Sequence, residues 1–465
     1  MTILETVSQY ICNRRTEEEE ARRIGLDCLR DTLGCMLLGC QEGDAGKVIH
    51  YVKACHSPGQ ALVYGRKPFR ADAASAAFAN GVSAHCCDFD DMTGAGCGHP
   101  SIPVLPVVLA LGEVYHKPGR EILDSYMTGM EVSMRLAKGV LGGSFPASAW
   151  NPTTVMGIFG ATAAAAQLLK LDRQQTCAAL GMATCEAGGT RGNYGTSGKN
   201  IAVGHLCMKG IRCAWLAREG IQAAADSFES RNGFIHCYVK GYDVEAGKQA
   251  FTEKNSFLIT PGIIQKPYPT CRSNHNGIDG AVWLHGQADC SSDRIQRVEC
   301  LVDPASFRLD GCQIPHSPEE AKFSTAYCVA LGLLYGKVEA RQFLESGVLD
   351  EGARALAARI QVTESRDFLL DASFPCRVRV YFTDGSCKEY LGEYASGDPR
   401  KPLSAGERQE KFRTCVAGAL GEAAAGELYQ RLEGLEDCPD LNRITEWIYG
   451  KQEAGPACEP SGLRK

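Results

Sequence analysis

Through roughly the first 250 residues, apolar positions recur at helical spacing and no segment alternates with a period of two. This property constrains the fold more than any other, because a half-buried strand needs period two and an amphipathic helix needs period 3.6. The stretch must therefore build a helical body. Thr16 and Glu19 have capping-box spacing ahead of Ile24, Cys28, Leu29 and Met36. Ala71–Ala84 is rich in alanine, which suits closely packed helices, and Ile102–Val114 is apolar with prolines near its start. Gly160–Leu171 combines small residues with strong helix formers, and Gly204–Gly220 continues the pattern.

The character changes at Ile259–Pro269, a stretch punctuated by proline and glycine that reads as a crossing rather than a regular element. Beyond it, Arg294–Val302, Arg359–Thr363 and Cys376–Phe382 alternate, and Asp384-Gly385 signals a hairpin to a further strand. Gly397–Ser404 is a second crossing. Ser404 and Glu407 then open a helix, and Leu441, Ile444 and Ile448 share one face of the last one. The tail from about Gln452 reads as disordered. The expected architecture is mainly α: a large all-helical domain formed by both chain ends (residues 1–258 and 400–465) with an inserted, smaller α+β lid domain (259–399). The crossings act as its hinge, and domain interfaces of this kind favour ligand sites.

A chain of 465 residues with 44% hydrophobic and 22% charged positions can bury a sizeable core unaided. Its net charge of −6 argues against a nucleic-acid partner, but not against a small anionic substrate, which needs only a few local cations. No stretch has the length and apolarity of a membrane span or the layout of a secretory leader, so a cytoplasmic protein is expected. The 23 cysteines include no C-x-x-C pair and read as buried thiols in a reducing compartment.

Polar residues concentrate in a few segments. "HCCDFDDMTGAGCGHPS", His85–Ser101, gathers Asp88, Asp90 and Asp91 near His85 and His99. These are plausible metal ligands, but D-F-D-D lacks the glycine and terminal glutamate of an EF-hand, and no metal is expected. Acid–base work suits them better. Removing a proton beside a carboxylate needs a positioned base, and the resulting carbanion needs cations. Lys199, in "NYGTSGKNIAVGH", and Arg272, in "KPYPTCRSNHNGID", could hold carboxylates. His99 and His275 carry imidazoles that ordinarily titrate near neutrality. "GGTRGNYGTSGK" lacks P-loop spacing, and "GGSFPAS" is no nucleophile elbow. His85 and His205 read as structural.

The segments "AAFANGVSAHCCDFDD" leading to "HPS", "GMEVSMRL", "KPYPTCRSNH", "EAKFSTAYCVA" and "GDPRKPLS", in this order over nearly the whole chain, resemble the MmgE/PrpD family. The resemblance implies a helical domain with an α+β lid, a homodimer and no required cofactor. It further implies a lyase acting on a small di- or tricarboxylate by α-proton abstraction, dehydration ahead of decarboxylation. The alternatives are epimerisation of a substituted dicarboxylate and a non-catalytic homodimer that keeps the fold. Carried over by motif, the catalytic positions are Asp88, His99, Lys199, His275 and Tyr327, with Thr93, Asn151, Lys266 and Arg272 binding substrate. Two positions depart from the family pattern. Asn151 and Ala202 stand where histidines are usual, and asparagine can orient a substrate but cannot exchange a proton near neutral pH.

Overall fold

The computed structural model describes residues 1–465 except 15–17, 142–148, 240–241, 311–313, 345–348, 369–372 and 455–465. Its buried apolar side chains fall into two clusters. One runs from Ile3 to Ile263 and is completed by Phe412–Ile448; the other spans Ile278–Phe382.

The first cluster is a stack of helices. Ala73–His85 is buried on every face, and Pro152–Leu168 on nearly every face, which explains their alanine-rich composition. Ala73–His85 lies on Ser197–Arg218, and Gly119–Leu136 lies on Pro152–Leu168. Glycine permits both approaches: a Cβ at Gly204 would stand 2.6 Å from the Phe78 carbonyl, and one at Gly160 2.1 Å from Ser133 Oγ. The C-terminal helix Ala405–Leu420 opens with the expected Ser404–Glu407 capping box and packs on Glu19–Gly39.

Several expectations need correction. The helical body also holds the short antiparallel pair β1 (Ala61–Val63) and β2 (Phe69–Ala71), too brief to show as alternation. A second pair joins β3 (Met92–Thr93) to β4 (Ile263–Ile264). The helix Glu19–Gly39 starts after Glu18, and the cap expected at Thr16 lies outside the described residues. The last helix runs to Ala454 because Gln452 is buried against the body; the tail beyond it lies outside the described residues.

The second cluster is built on a four-stranded sheet of order β6–β5–β7–β8, with β5 Ile295–Val302, β6 Ile360–Glu364, β7 Cys376–Phe382 and β8 Cys387–Gly392. The pairing β5–β6 is parallel; β5–β7 and β7–β8 are antiparallel. Cys376, Val378, Val380 and Phe382 alternate inward along β7. Helices His275–His285 and Thr325–Tyr335 pack on each other and on this sheet. Gly385, at φ 84°, makes the tight turn between β7 and β8. Among the described residues, no helix is long and apolar enough to cross a membrane.

The chain passes between the clusters twice, and the two passages touch. Gln265 N donates to Gly397 O at 3.1 Å, and Gly397 N to Lys401 O at 2.9 Å. Gly397 has φ 86°, and a Cβ there would collide with the Gln265 carbonyl. Pairing of β3 with β4 sets the first passage beside the Asp88–His99 stretch.

Candidate active site

The helix Ala73–His85 ends just before the D-F-D-D run, and Asp88 turns the chain with a left-handed backbone, φ 49°. That conformation is costly for a residue with a Cβ and persists where its surroundings hold it. Here lysines from separate elements grip the turn's carbonyls: Lys322 on Cys86 O (2.9 Å), Lys266 on Asp88 O (2.8 Å) and Lys411 on Phe89 O (2.8 Å). The turn aims the Asp88 carboxylate inward, where Oδ1 meets Lys199 Nζ at 2.9 Å and Lys266 Nζ at 3.1 Å. Burial alone would raise the Asp88 pKa, but Lys199, then Lys266, His99 and His85 outweigh it and hold the carboxyl well below its usual range. Asp88 is thus a poor proton acceptor and a good anchor for two ammonium groups. Lys199 extends from the first turn of Ser197–Arg218, with its ammonium 5.7 Å from the Tyr194 ring centre and 5.4 Å from that of Phe323.

Asp90 serves two imidazoles. His85 Nδ1 lies 3.0 Å from its Oδ1, and His99 Nδ1 2.6 Å from its Oδ2, a close contact whose angles fall short of an aligned hydrogen bond. The neighbouring His99 and His85 imidazoles hold Asp90 below the carboxylate range against the opposing effect of burial. Burial, with Lys199 nearby, lowers His85 to about 4, so it is neutral at ordinary pH. With Nδ1 against Asp90, His99 presents Nε2 towards Asp88, 3.9 Å from Oδ1. The His99 backbone is held by its N–H donating to Thr153 Oγ1 at 3.2 Å. Beneath this layer, Asp91 accepts from the Ser101 hydroxyl, and burial pushes its carboxyl up to about 8.

The opposite wall comes from the first passage and the turn after it. Lys266 is fully buried on Asp88. Arg272, 1% exposed, makes no hydrogen bond from any guanidinium nitrogen among the described residues. Its counter-charge, Asp398, stands 3.6 Å away and is also held by Arg400, at 3.0 Å from Nε and 3.1 Å from the backbone N–H. One carboxylate is thus shared by two guanidinium groups, and burial lowers Arg272 to about 10. His275 Nε2 lies 3.3 Å from Thr270 O, and its Nδ1 has no hydrogen-bond partner among the described residues. Burial, then Arg272 and Lys266, push His275 well below the histidine range. This corrects the expectation that it titrates near neutrality: His275 is a neutral imidazole.

The remaining predicted residues have occupied polar groups. Thr93 Oγ1 donates to Gly262 O at 2.9 Å, pinning the loop to the first passage. Asn151 caps the helix Pro152–Leu168, its Oδ1 accepting from Thr153 N at 3.1 Å and from Tyr194 OH at 3.4 Å. Tyr327 is buried in the sheet-bearing cluster against Phe343, and its hydroxyl accepts from Asp350 N at 3.0 Å. The structure therefore brings Asp88, His99, Lys199 and Lys266 together, with the Arg272 and Lys266 charges both bearing on His275.

The family model for the MmgE/PrpD N-terminal domain matches residues 5–247, and that for the MmgE/PrpD C-terminal domain matches residues 268–433. The chain belongs to the MmgE/PrpD family. It is 28% identical over 458 residues to a cis-aconitate decarboxylase of Homo sapiens, covering 93% of this chain and 92% of that protein. A cis-aconitate decarboxylase of Aspergillus terreus is 24% identical over 442 residues, covering 90% and 89%. The 2-methylcitrate dehydratase of Salmonella typhimurium is 24% identical over 423 residues, covering 85% and 86%.

In this MmgE/PrpD chain the sequence reading missed Asp90 as the partner of His99, and His85 as part of the same network. The D-x-D spacing was the available signal, since two carboxylates two residues apart in a turn can face different neighbours. Ligand atoms of His85, Asp88, Asp90 and His99 lie within 4.8 Å of one another, close enough to share a cation. Two ammonium groups already supply positive charge at Asp88.

Proposed function

We propose that this chain is a lyase that acts on a small di- or tricarboxylate by removing the proton next to a carboxylate, with loss of water from a β-hydroxy acid as the first reading. The observation that carries it is the His99 imidazole, backed by Asp90 on Nδ1 and facing the lysine-clamped Asp88 with Nε2. Asp90 favours the Nδ1–H tautomer and stabilises the imidazolium formed when Nε2 takes a proton. Lys199 and Lys266 meet at one Asp88 oxygen, so an ammonium group is at hand for the carboxylate beside the developing carbanion. Arg272, with its forked donors free and its counter-charge shared, suits a second carboxylate. The cations are side chains, so the reading requires no metal. Decarboxylation of an unsaturated tricarboxylate is the second reading, favoured by the decarboxylase relative that spans more than nine-tenths of the chain.

The test is incubation with a panel of polycarboxylates in deuterated water. New ultraviolet absorbance with loss of the hydroxyl marks dehydration, and released carbon dioxide marks decarboxylation. Deuterium incorporation without either product would replace both readings with epimerisation.

A further inference from the structure

A second polar cluster stands on the lid side, one residue from Arg272. Cys271 is half-buried, and its Sγ lies 2.9 Å from Ser273 Oγ. Ser273 Oγ is hydrogen-bonded to Asp310 Oδ2, which comes from the helix Pro304–Asp310. Asp310 is 1% exposed, and its other oxygen has no partner among the described residues. The chain of contacts is anchored to the active site: Cys271 N donates to Lys322 O at 2.9 Å, and Lys322 Nζ holds the Cys86 carbonyl at the start of the Asp88 turn.

We propose that Cys271, Ser273 and Asp310 form a proton relay that supplies the acid for this reaction from the wall opposite His99. Cys271 is the catalytic residue that touches substrate; Ser273 and Asp310 act through it as positioning residues. The inference rests on the lyase reading above. In a dehydration, His99 Nε2 takes the α-proton, the C–H electron pair becomes the new C=C bond, and the bond from the β-carbon to the hydroxyl oxygen breaks. The departing oxygen takes the proton of Cys271 Sγ–H and leaves as water. The thiol is refilled from Ser273 Oγ–H, and the serine from the Asp310 carboxyl, which ends as a carboxylate. The α-proton on His99 and the proton missing from Asp310 are reset through solvent, so the cycle needs no oxidant or co-reactant.

Two further observations fit a relay. Burial pushes the Asp310 carboxyl up to about 7, so it carries a proton into the neutral range. Burial, with Asp310 and Asp88 nearby, pushes the Cys271 thiol up, which makes it an S–H conduit rather than a thiolate nucleophile. The groups that face Asp310 are Ser273 and Cys271 from the turn and Cys328 from Thr325–Tyr335, with the charges of Asp88 and Lys266 behind them.

The experiment compares α-deuterium exchange with product formation in full-length Asp310→Asn, Cys271→Ala, Cys271→Ser and Ser273→Ala. Asp310→Asn and Cys271→Ala are expected to lower product formation by roughly 10²-fold or more. Their α-exchange should stay within about threefold of wild type, because the base is untouched. Cys271→Ser should recover much of the product rate, since a hydroxyl also relays a proton. The wild-type product rate should fall as pH rises through about 7, and Asp310→Asn should lose that limb. Unchanged product formation in Asp310→Asn, or an equal loss of exchange and product, would overturn the relay. Infrared spectroscopy gives a readout without substrate: a protonated carboxyl band at pH 6 that Asp310→Asn removes and Ser273→Ala shifts. Absence of that band overturns the relay for any substrate. A wild-type enzyme that exchanges nothing in the panel but keeps the band sinks the lyase reading and, with it, the relay's catalytic role.

Discussion

The helical side of the site and the side built from Lys266–His275 solve opposite problems. On the helical side Asp88, Asp90, His99 and Lys199 lie within a few ångströms of one another, and the turn that carries Asp88 is clamped by lysines from three elements. On the other side, Arg272 carries a charge that its shared partner only half answers, and His275 Nδ1 has no partner among the described residues. Buried polar groups are normally satisfied, so a buried guanidinium with none of its donors engaged among the described residues marks where a ligand could complete the structure. On the lyase reading, a substrate carboxylate completes Arg272.

That contrast breaks most directly at His99. His99→Gln should lower kcat by roughly 10²–10⁴ with little change in KM, because His99 is the proposed base. A comparable rise in KM with kcat intact would place His99 in binding instead. The next largest effect is on folding. Asp88→Asn leaves two buried ammonium groups facing a neutral amide and should cost about 3 kcal/mol or more in chemical denaturation at pH 7. The Asp88 pKa is depressed in the fold, so its stabilisation is present above about pH 4 and fades as pH falls further. The gap between variant and wild type should therefore narrow in acid.

Arg272→Met probes the waiting wall. It should leave the melting temperature of the free protein nearly unchanged or raised, yet raise KM for a polycarboxylate by about 10- to 100-fold, the worth of a charge-assisted pair. A large loss of stability without a change in KM would show that Arg272 is already satisfied. Asp91 gives a pH-linked effect. Its folded pKa, about 8, lies above the unfolded value near 4, so the fold holds a proton that the unfolded chain releases. Stability from this group should fall by about 1.4 kcal/mol per pH unit between those values, and Asp91→Asn should remove that slope. Parallel denaturation curves for the two proteins from pH 5 to 8 would contradict it. The smallest expected effect is none: exhaustive chelation should leave activity intact, and rescue by one divalent ion after a loss would move the Asp88–Asp90 cluster to metal chemistry.

What the sequence disclosed follows the range of the interactions. The alternation along β7, the Ser404–Glu407 cap and the Asp384-Gly385 hairpin depend on neighbours a few residues apart, and all were legible. His99 and Lys199 were legible through motif. Thr93 and Asn151 were carried over by motif as substrate-binding, and nothing local shows that Gly262 O also engages one and the start of Pro152–Leu168 the other. Tyr327 lies on an apolar helix, and its hydroxyl partner, Asp350, is 23 residues away. Asp310 and Ser273 are 37 residues apart and belong to no pattern, so only the packed structure joins them.

The contact between Gln265 and Gly397 has a consequence for how such a chain can change over generations. The sheet-bearing segment leaves and rejoins the helical stack at two strands of backbone bonded to each other, so its ends are already closed. A segment with adjacent ends can be lengthened, trimmed or replaced without redirecting the chain on either side. Exchanging residues 266–396 between relatives would carry Arg272, His275 and Asp310 as one cassette while Asp88, Asp90, His99 and Lys199 stay behind. Such an exchange would also replace Lys266 and Lys322, so the same Asp88, Asp90 and His99 would meet a different set of cations and a different carboxylate.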